Sequence, residues 1–141
     1  MKYKLEVGAR TVEDTIAAWK GGADRVELYV SPAEGALTPS LGLVQAAIAT
    51  RKELGSNLGL FVMIRPRAGD FLYSDYDFDI MLRDTEIMFE AGADGFIFGV
   101  ITQDGELDLP RMRELIKRCP GRKITLHRAF DEATAVLAGD A

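Results

Sequence analysis

The chain has 141 residues, 48% hydrophobic and 28% charged, the proportions of a soluble globular domain long enough to bury a core. Lys and Arg number 17 against 22 Asp and Glu, a formal net charge of -5 with no basic run, which argues against nucleic acid and anionic membranes as partners. No apolar run is long enough to span a membrane, and the first residues carry no signal-like stretch, so the expected setting is the cytoplasm. Cys119 is the one cysteine, which excludes an internal disulfide and a multi-thiolate zinc site within one chain.

Short apolar runs alternate with helical patterns along the chain. Lys4 to Val7 reads as a first strand. Thr11, with Asp14 three residues on, has capping-box spacing and opens a helix that ends at Gly21-Gly22. Arg25 to Val30 reads as a second strand. Thr38-Pro39 is expected to open a second helix with proline in its first turn, continued by Leu41, Val44 and Ile48 and ended by Gly55. Leu60 to Ile64 is the clearest strand, and a polar loop from Arg65 to Ser74 follows. Phe78, Met81, Leu82, Met88 and Phe89 mark a third helix stopped by Gly92. Gly95 to Val100 is a fourth strand. Leu109, Met112, Leu115, Ile116 and Cys119 share one face of a fourth helix, and Lys123 to His127 is a fifth strand.

This alternation predicts an α/β fold with a parallel sheet and helical crossovers. Val7 is followed by Gly8-Ala9-Arg10-Thr11, which is not the glycine-rich phosphate turn of an open dinucleotide-binding sheet. Parallel strands are normally apolar throughout, yet Glu6, Glu27, Arg65 and His127 are expected to interrupt four of these five at or near their C-terminal ends. Barrels draw their functional residues from the C-terminal ends of several strands, so a (β/α)-barrel is the expected architecture. Strand periodicity sets Val26 and Leu28 opposite Glu27, Leu5 and Val7 opposite Glu6, and Ile124 and Leu126 opposite His127. The apolar faces are then expected under the helices, with Glu6, Glu27 and His127 pointing together into the barrel mouth. A closed barrel needs eight strands and about 250 residues. Five strands and four helices imply a partial TIM barrel over residues 1–131, with 132–141 as a divergent tail. Its two open sheet edges would invite self-association into a homo-oligomer.

Several stretches resemble the CutC family of copper homeostasis proteins. They are Gly22 to Leu28, Gly35 to Gly42, Met63 to Asp75, Gly92 to Gly95 with Phe98 to Val100, and Thr125 to Asp131. The stretches from Met63 and from Thr125 are the most specific. The resemblance implies a TIM barrel, a cytoplasmic setting, frequent self-association and a role in copper tolerance and copper ion binding. Some members carry cysteines where this chain has Gly8 and Tyr29.

The residues themselves point to a charged mouth. Glu6 and Glu27 can act as a carboxylate pair that shares a proton or holds a hard cation, or each can pair with Arg25, Arg65 or Arg128. Arg65 suits a carboxylate or phosphate ligand, and Arg128 at the fifth strand's end belongs to the same candidate set. Arg67 with Asp70 reads as a substrate-facing pair or as a clamp on the loop, the clamp being favoured. His127, the one histidine, fits acid-base work or metal ligation. Copper(I) prefers sulfur, but Cys119 lies on a helix's apolar face and Met63 is a single thioether, so no metal ligand set is assigned. Three functions remain open: copper homeostasis with copper as ligand, a barrel enzyme acting on a small anionic metabolite, and an inactive fragment.

Overall fold

A computed structural model describes residues 3–133; the expected tail lies outside the described residues from 134 onward. The elements run β1 (Glu6–Ala9), α1 (Val12–Lys20), β2 (Arg25–Leu28), a 3-10 turn (Pro32–Glu34), α2 (Leu41–Glu53), β3 (Gly59–Met63), α3 (Asp75–Ala91), β4 (Gly95–Phe98), α4 (Leu109–Arg118), β5 (Lys123–Leu126) and the short α5 (Ala129–Glu132).

The five strands form one parallel sheet in the order β1-β2-β3-β4-β5. A doubly wound sheet reverses direction once, so that helices cover both faces. Here each strand is followed by its spatial neighbour without reversal. Right-handed crossovers then put every helix on the same face, and the sheet becomes part of a barrel wall. The helices pack in the same sequence, α1 on α2, α2 on α3 and α3 on α4. The expected partial (β/α)-barrel is the observed one.

Local chemistry fixes the helix starts. The Thr11, Ser40, Ser74 and Asp108 side chains accept hydrogen bonds from the backbone N–H groups of Asp14, Leu43, Asp77 and Arg111. Each satisfies a donor that the first turn leaves without an intrahelical partner. The α2 start differs from the expectation. Ser40 rather than Thr38 is the cap, and Pro39 precedes the helix. The Thr38 hydroxyl is engaged elsewhere, donating to the Arg65 carbonyl and accepting from the Arg65 N–H.

Period-two alternation separates the two faces of the sheet. Val26, Leu28, Leu60, Val62, Ile64, Phe96 and Phe98 point outward into the main core beneath the helices, with Met81, Met88, Leu115 and Cys119. The inner face carries a smaller apolar cluster of Phe61, Met63 and Ile97, with Tyr29 and Ala36 against it. The charged strand residues belong to this inner face, as the alternation required.

Strand register gives each inner residue a depth. Glu6 is level with Arg25, and Arg25 with Gly59. Glu27 is level with Phe61, Phe61 with Gly95, and Gly95 with Lys123. Continued along the extended chain, Arg65, Gly99 and His127 share the rim.

Candidate functional site at the barrel mouth

Glu27, Gly35, Ala36, Met63, Arg65, Phe71, His127 and Arg128 line one cavity of about 230 Å³ at the C-terminal ends of the strands. Four of the expected residues, Glu27, Arg65, His127 and Arg128, therefore meet. Glu6 does not join them. It sits at the start of β1, level with Gly59 and six residues before the level of Arg65, which is about 20 Å along a strand. Its carboxylate instead lies 2.5 Å from Arg25 Nε. The ion-pair reading holds for Glu6, and the expected convergence of both glutamates at the mouth is corrected. Sequence alternation assigned the right face but not the depth, because β1 begins at Glu6.

Arg67 and Asp70 also lie outside the cavity lining. Arg67 Nε donates to Asp77 at 3.0 Å and its NH2 to Asp70 at 3.1 Å, while the remaining N–H groups reach the Ala68, Asp70 and Leu72 carbonyls. That is the clamp: it folds the loop back onto the first turn of α3.

Arg65 is 2% exposed, and its guanidinium is largely committed to backbone. NH1 donates to the Glu34 carbonyl at 2.8 Å and the Ala36 carbonyl at 3.2 Å, and NH2 to Gly69 at 2.7 Å. Two loops are thereby tied together over the strand ends. The approach needs Gly35, which has φ 83; a Cβ there would lie 3.0 Å from Arg65 NH1 and closer still to Arg128 NH2. Beside it, Ala36 holds φ 76, a left-handed backbone that costs an alanine energy and that these surrounding bonds maintain.

Phe71 is the hub. Its ring lies 4.7 Å from the His127 ring, under the Arg65 guanidinium at 5.1 Å and under Arg128 at 5.4 Å. Sequence reasoning passed over Phe71 and Gly35; the usable signal was a large aromatic and a glycine inside segments otherwise rich in charge.

His127 is held in one tautomer. Its Nδ1 accepts the Ala129 N–H at 3.1 Å, so in the neutral ring the proton resides on Nε2. Nε2 is buried and finds no acceptor among the described residues. The ring is also hard to protonate: burial first, then the positive charges of Arg65 and Arg128, push its pKa down to about 4. Glu27 moves the opposite way. Burial, and then the negative charge of Glu6, raise its pKa above the ordinary carboxylate value. Arg128 is exposed and its side chain has no ion-pair or hydrogen-bond partner among the described residues, which leaves its charge available at the rim. The mouth thus holds two guanidiniums, a neutral N–H donor and one half-buried carboxylate.

A family model described as the CutC family matches residues 3–138. The chain belongs to the CutC family. A CutC family protein of Bacteroides thetaiotaomicron is 49% identical over 130 residues, covering 92% of this chain and 51% of that protein. The human copper homeostasis protein cutC homolog is 41% identical over 129 residues, covering 92% of this chain and 45% of the human one. A solved CutC structure from Streptococcus agalactiae superposes with a TM-score of 0.85 at 30% identity, over 95% of this chain and 63% of that one. The 2,3-dimethylmalate lyase structure, at TM-score 0.64 and 14% identity, covers 87% of this chain and 44% of that one and shares the fold alone. The chain spans about half the length of the curated relatives it matches.

The depressed pKa of His127 makes stability depend on pH. Between the unfolded value of 6.5 and the folded value of about 4, the unfolded chain binds a proton that the buried ring refuses. Unfolding is therefore favoured as pH falls through this window, by at most about 3 kcal/mol from this group. Urea unfolding at pH 7 and pH 4.5 should show a midpoint loss in the wild type that is clearly smaller in His127→Gln. Equal losses in both proteins would contradict this assignment.

Proposed function

We propose that this chain serves copper homeostasis in the cytoplasm through a barrel mouth that binds a small anionic ligand. The role is supported by kinship with human and mouse relatives named as copper homeostasis proteins. The ligand class is supported by one observation: His127, whose buried N–H lacks an acceptor among the described residues, and the unpaired Arg128 guanidinium line the same cavity. A buried donor left unmatched costs about 1–3 kcal/mol, and a carboxylate or phosphate oxygen would recover that cost. Arg65 adds positive potential from beneath. Phosphate and pyruvate titrations followed by calorimetry should show binding that weakens about 10-fold or more in Arg128→Ala. Equal affinity in that variant, or no binding in the wild type, would count against the anion reading.

Copper ion binding is the second reading, and kinship favours it. Copper(I) favours thiolate and thioether donors. The Met63 thioether faces the cavity, but Cys119 lies in the outer core, its thiol donating to the Leu115 carbonyl at 3.5 Å and pushed up to about 11 by burial. The two sulfurs thus stand on opposite faces of the sheet. The His127 tautomer presents a proton where a metal would need a lone pair. Among the described residues no three His, Cys, Asp or Glu side chains gather as a metal site. Competition titration with Cu(I) should accordingly give the same result for wild type, Cys119→Ser and Met63→Leu. Tight Cu(I) uptake abolished by either substitution would replace the anion with a soft metal as the ligand.

Self-association belongs to the same proposal. The outer edges of β1 and β5 are unpaired among the described residues, and such edges recruit further strands. Sedimentation at rising concentration should reveal species above 15.5 kDa; a monomer throughout would refute it.

A further inference from the structure

The mouth contains two titratable groups whose surroundings drive them apart in function. Glu27 projects from the middle of β2, half-buried, with no hydrogen-bond or ion-pair partner among the described residues. A structural carboxylate on an inner wall is ordinarily matched, as Glu6 is by Arg25. Glu27 is not matched, although Arg65 and Arg128 line the same cavity. Arg65 engages its two terminal nitrogens with the Glu34, Ala36 and Gly69 carbonyls, and its Nε has no partner among the described residues, so it makes no bond to Glu27. His127, at the rim, carries an N–H whose tautomer is fixed by the Ala129 amide, and its ring lies tilted against Phe71.

From this geometry we infer that the cavity is a proton-transfer site, in which Glu27 is the base and neutral His127 is a hydrogen-bond donor to a carbonyl oxygen of a small 2-oxo or keto anion. The inference rests on the anion reading above. The step balances within the ligand and Glu27. The carboxylate removes a proton from the carbon next to the carbonyl, and the C–H electron pair becomes the C=C bond of an enolate. The carbonyl π pair moves onto oxygen, which accepts the hydrogen bond from His127 Nε2–H. Return of the proton from Glu27 restores the ketone, so no oxidant or co-reactant is consumed. The ligand's carboxylate or phosphate is held by Arg128.

Each part suits the task physically. A base works best with a pKa shifted toward the operating pH, and burial raises that of Glu27. An imidazole kept neutral polarises a carbonyl without giving up its proton, a role that requires the low pKa seen at His127. Met63 and Phe71 give the cavity apolar walls beside its charged groups. A volume of about 230 Å³ gives room for a small ligand.

Deuterium exchange provides the test. The 141-residue chain is incubated in D₂O with pyruvate, oxaloacetate or dihydroxyacetone phosphate, and proton NMR follows loss of the signal next to the carbonyl. Calorimetric binding of the same three compounds is measured in parallel. Exchange of at least one compound is expected to exceed the buffer rate, to fall by 100-fold or more in Glu27→Gln with binding retained, and to fall by 10-fold or more in His127→Gln. Glu27→Asp, which retreats the carboxylate by one methylene, should lose 10-fold or more and serves where Glu27→Gln fails to fold by circular dichroism. Binding without accelerated exchange, or exchange indifferent to both Glu27 variants, overturns the proton-transfer inference and leaves the anion reading intact. Absence of binding by all three overturns both.

Discussion

A guanidinium removed from water must find its hydrogen bonds inside the protein, and the mouth of this half-barrel is arranged around that demand at Arg65. Three backbone carbonyls from two separate loops meet it at the two terminal nitrogens, while Nε finds no acceptor among the described residues. Those bonds hold Gly35 and Ala36 in left-handed backbone and bring the 3-10 turn down beside the strand ends. The Arg65 backbone does the complementary job through Thr38, whose hydroxyl both donates to and accepts from it. With both loops fixed, Phe71 is trapped between two guanidiniums and the His127 ring. The burial that chiefly keeps His127 neutral, and the guanidinium charges that add to it, are thus consequences of how the loops are held.

The fold was legible because its signals are local and repeated. The capping residue Thr11, the glycine after α3 at Gly92 and the apolar strand runs each act within a few residues of where they are read. The face that each strand residue takes was legible for the same reason, since alternation needs only the strand's own sequence. Depth was not. Glu6 and Glu27 look equivalent in isolation, and only inter-strand register, a property of two chain segments together, sets one at the floor beside Arg25 and the other in the cavity. The roles of the arginines were hidden likewise. Arg65, Arg67 and Arg128 are the same side chain, but one is consumed by carbonyls, one by Asp70 and Asp77, and one by neither. Backbone acceptors leave no mark in a sequence, whereas the Arg67–Asp70 clamp, three residues apart, could be anticipated.

The two ends of the inner wall handle charge in opposite ways. At the N-terminal end, opposite charges are matched directly. Glu6 meets Arg25, Arg51 pairs with Asp94, and Asp24 accepts the Leu5 N–H. Such pairing matches these groups to one another within the protein. At the C-terminal end, Arg65 and Arg128 are of like sign, and the single carboxylate nearby, Glu27, is not bonded to either. Neutral carbonyl dipoles stabilise a guanidinium without cancelling its charge, so the mouth stays positive while the chain as a whole is negative at -5. A cleft of one sign with low-dielectric walls concentrates the field seen by an incoming anion.

That same field decides what His127 can do. Protonating it would put a charge in a buried place beside Arg65 and Arg128, and the new proton would sit on Nδ1, costing the hydrogen bond that Nδ1 accepts from the Ala129 N–H. A metal at Nε2 would require moving the ring proton to Nδ1, against that amide donor. Both alternatives fail for reasons of hydrogen-bond direction and charge. The imidazole is left as a fixed, uncharged donor at the rim of a positive cavity, with an unmatched carboxylate below it. The chemistry that this pairing fits is stabilisation of negative charge as it develops on oxygen, with Glu27 taking the proton released.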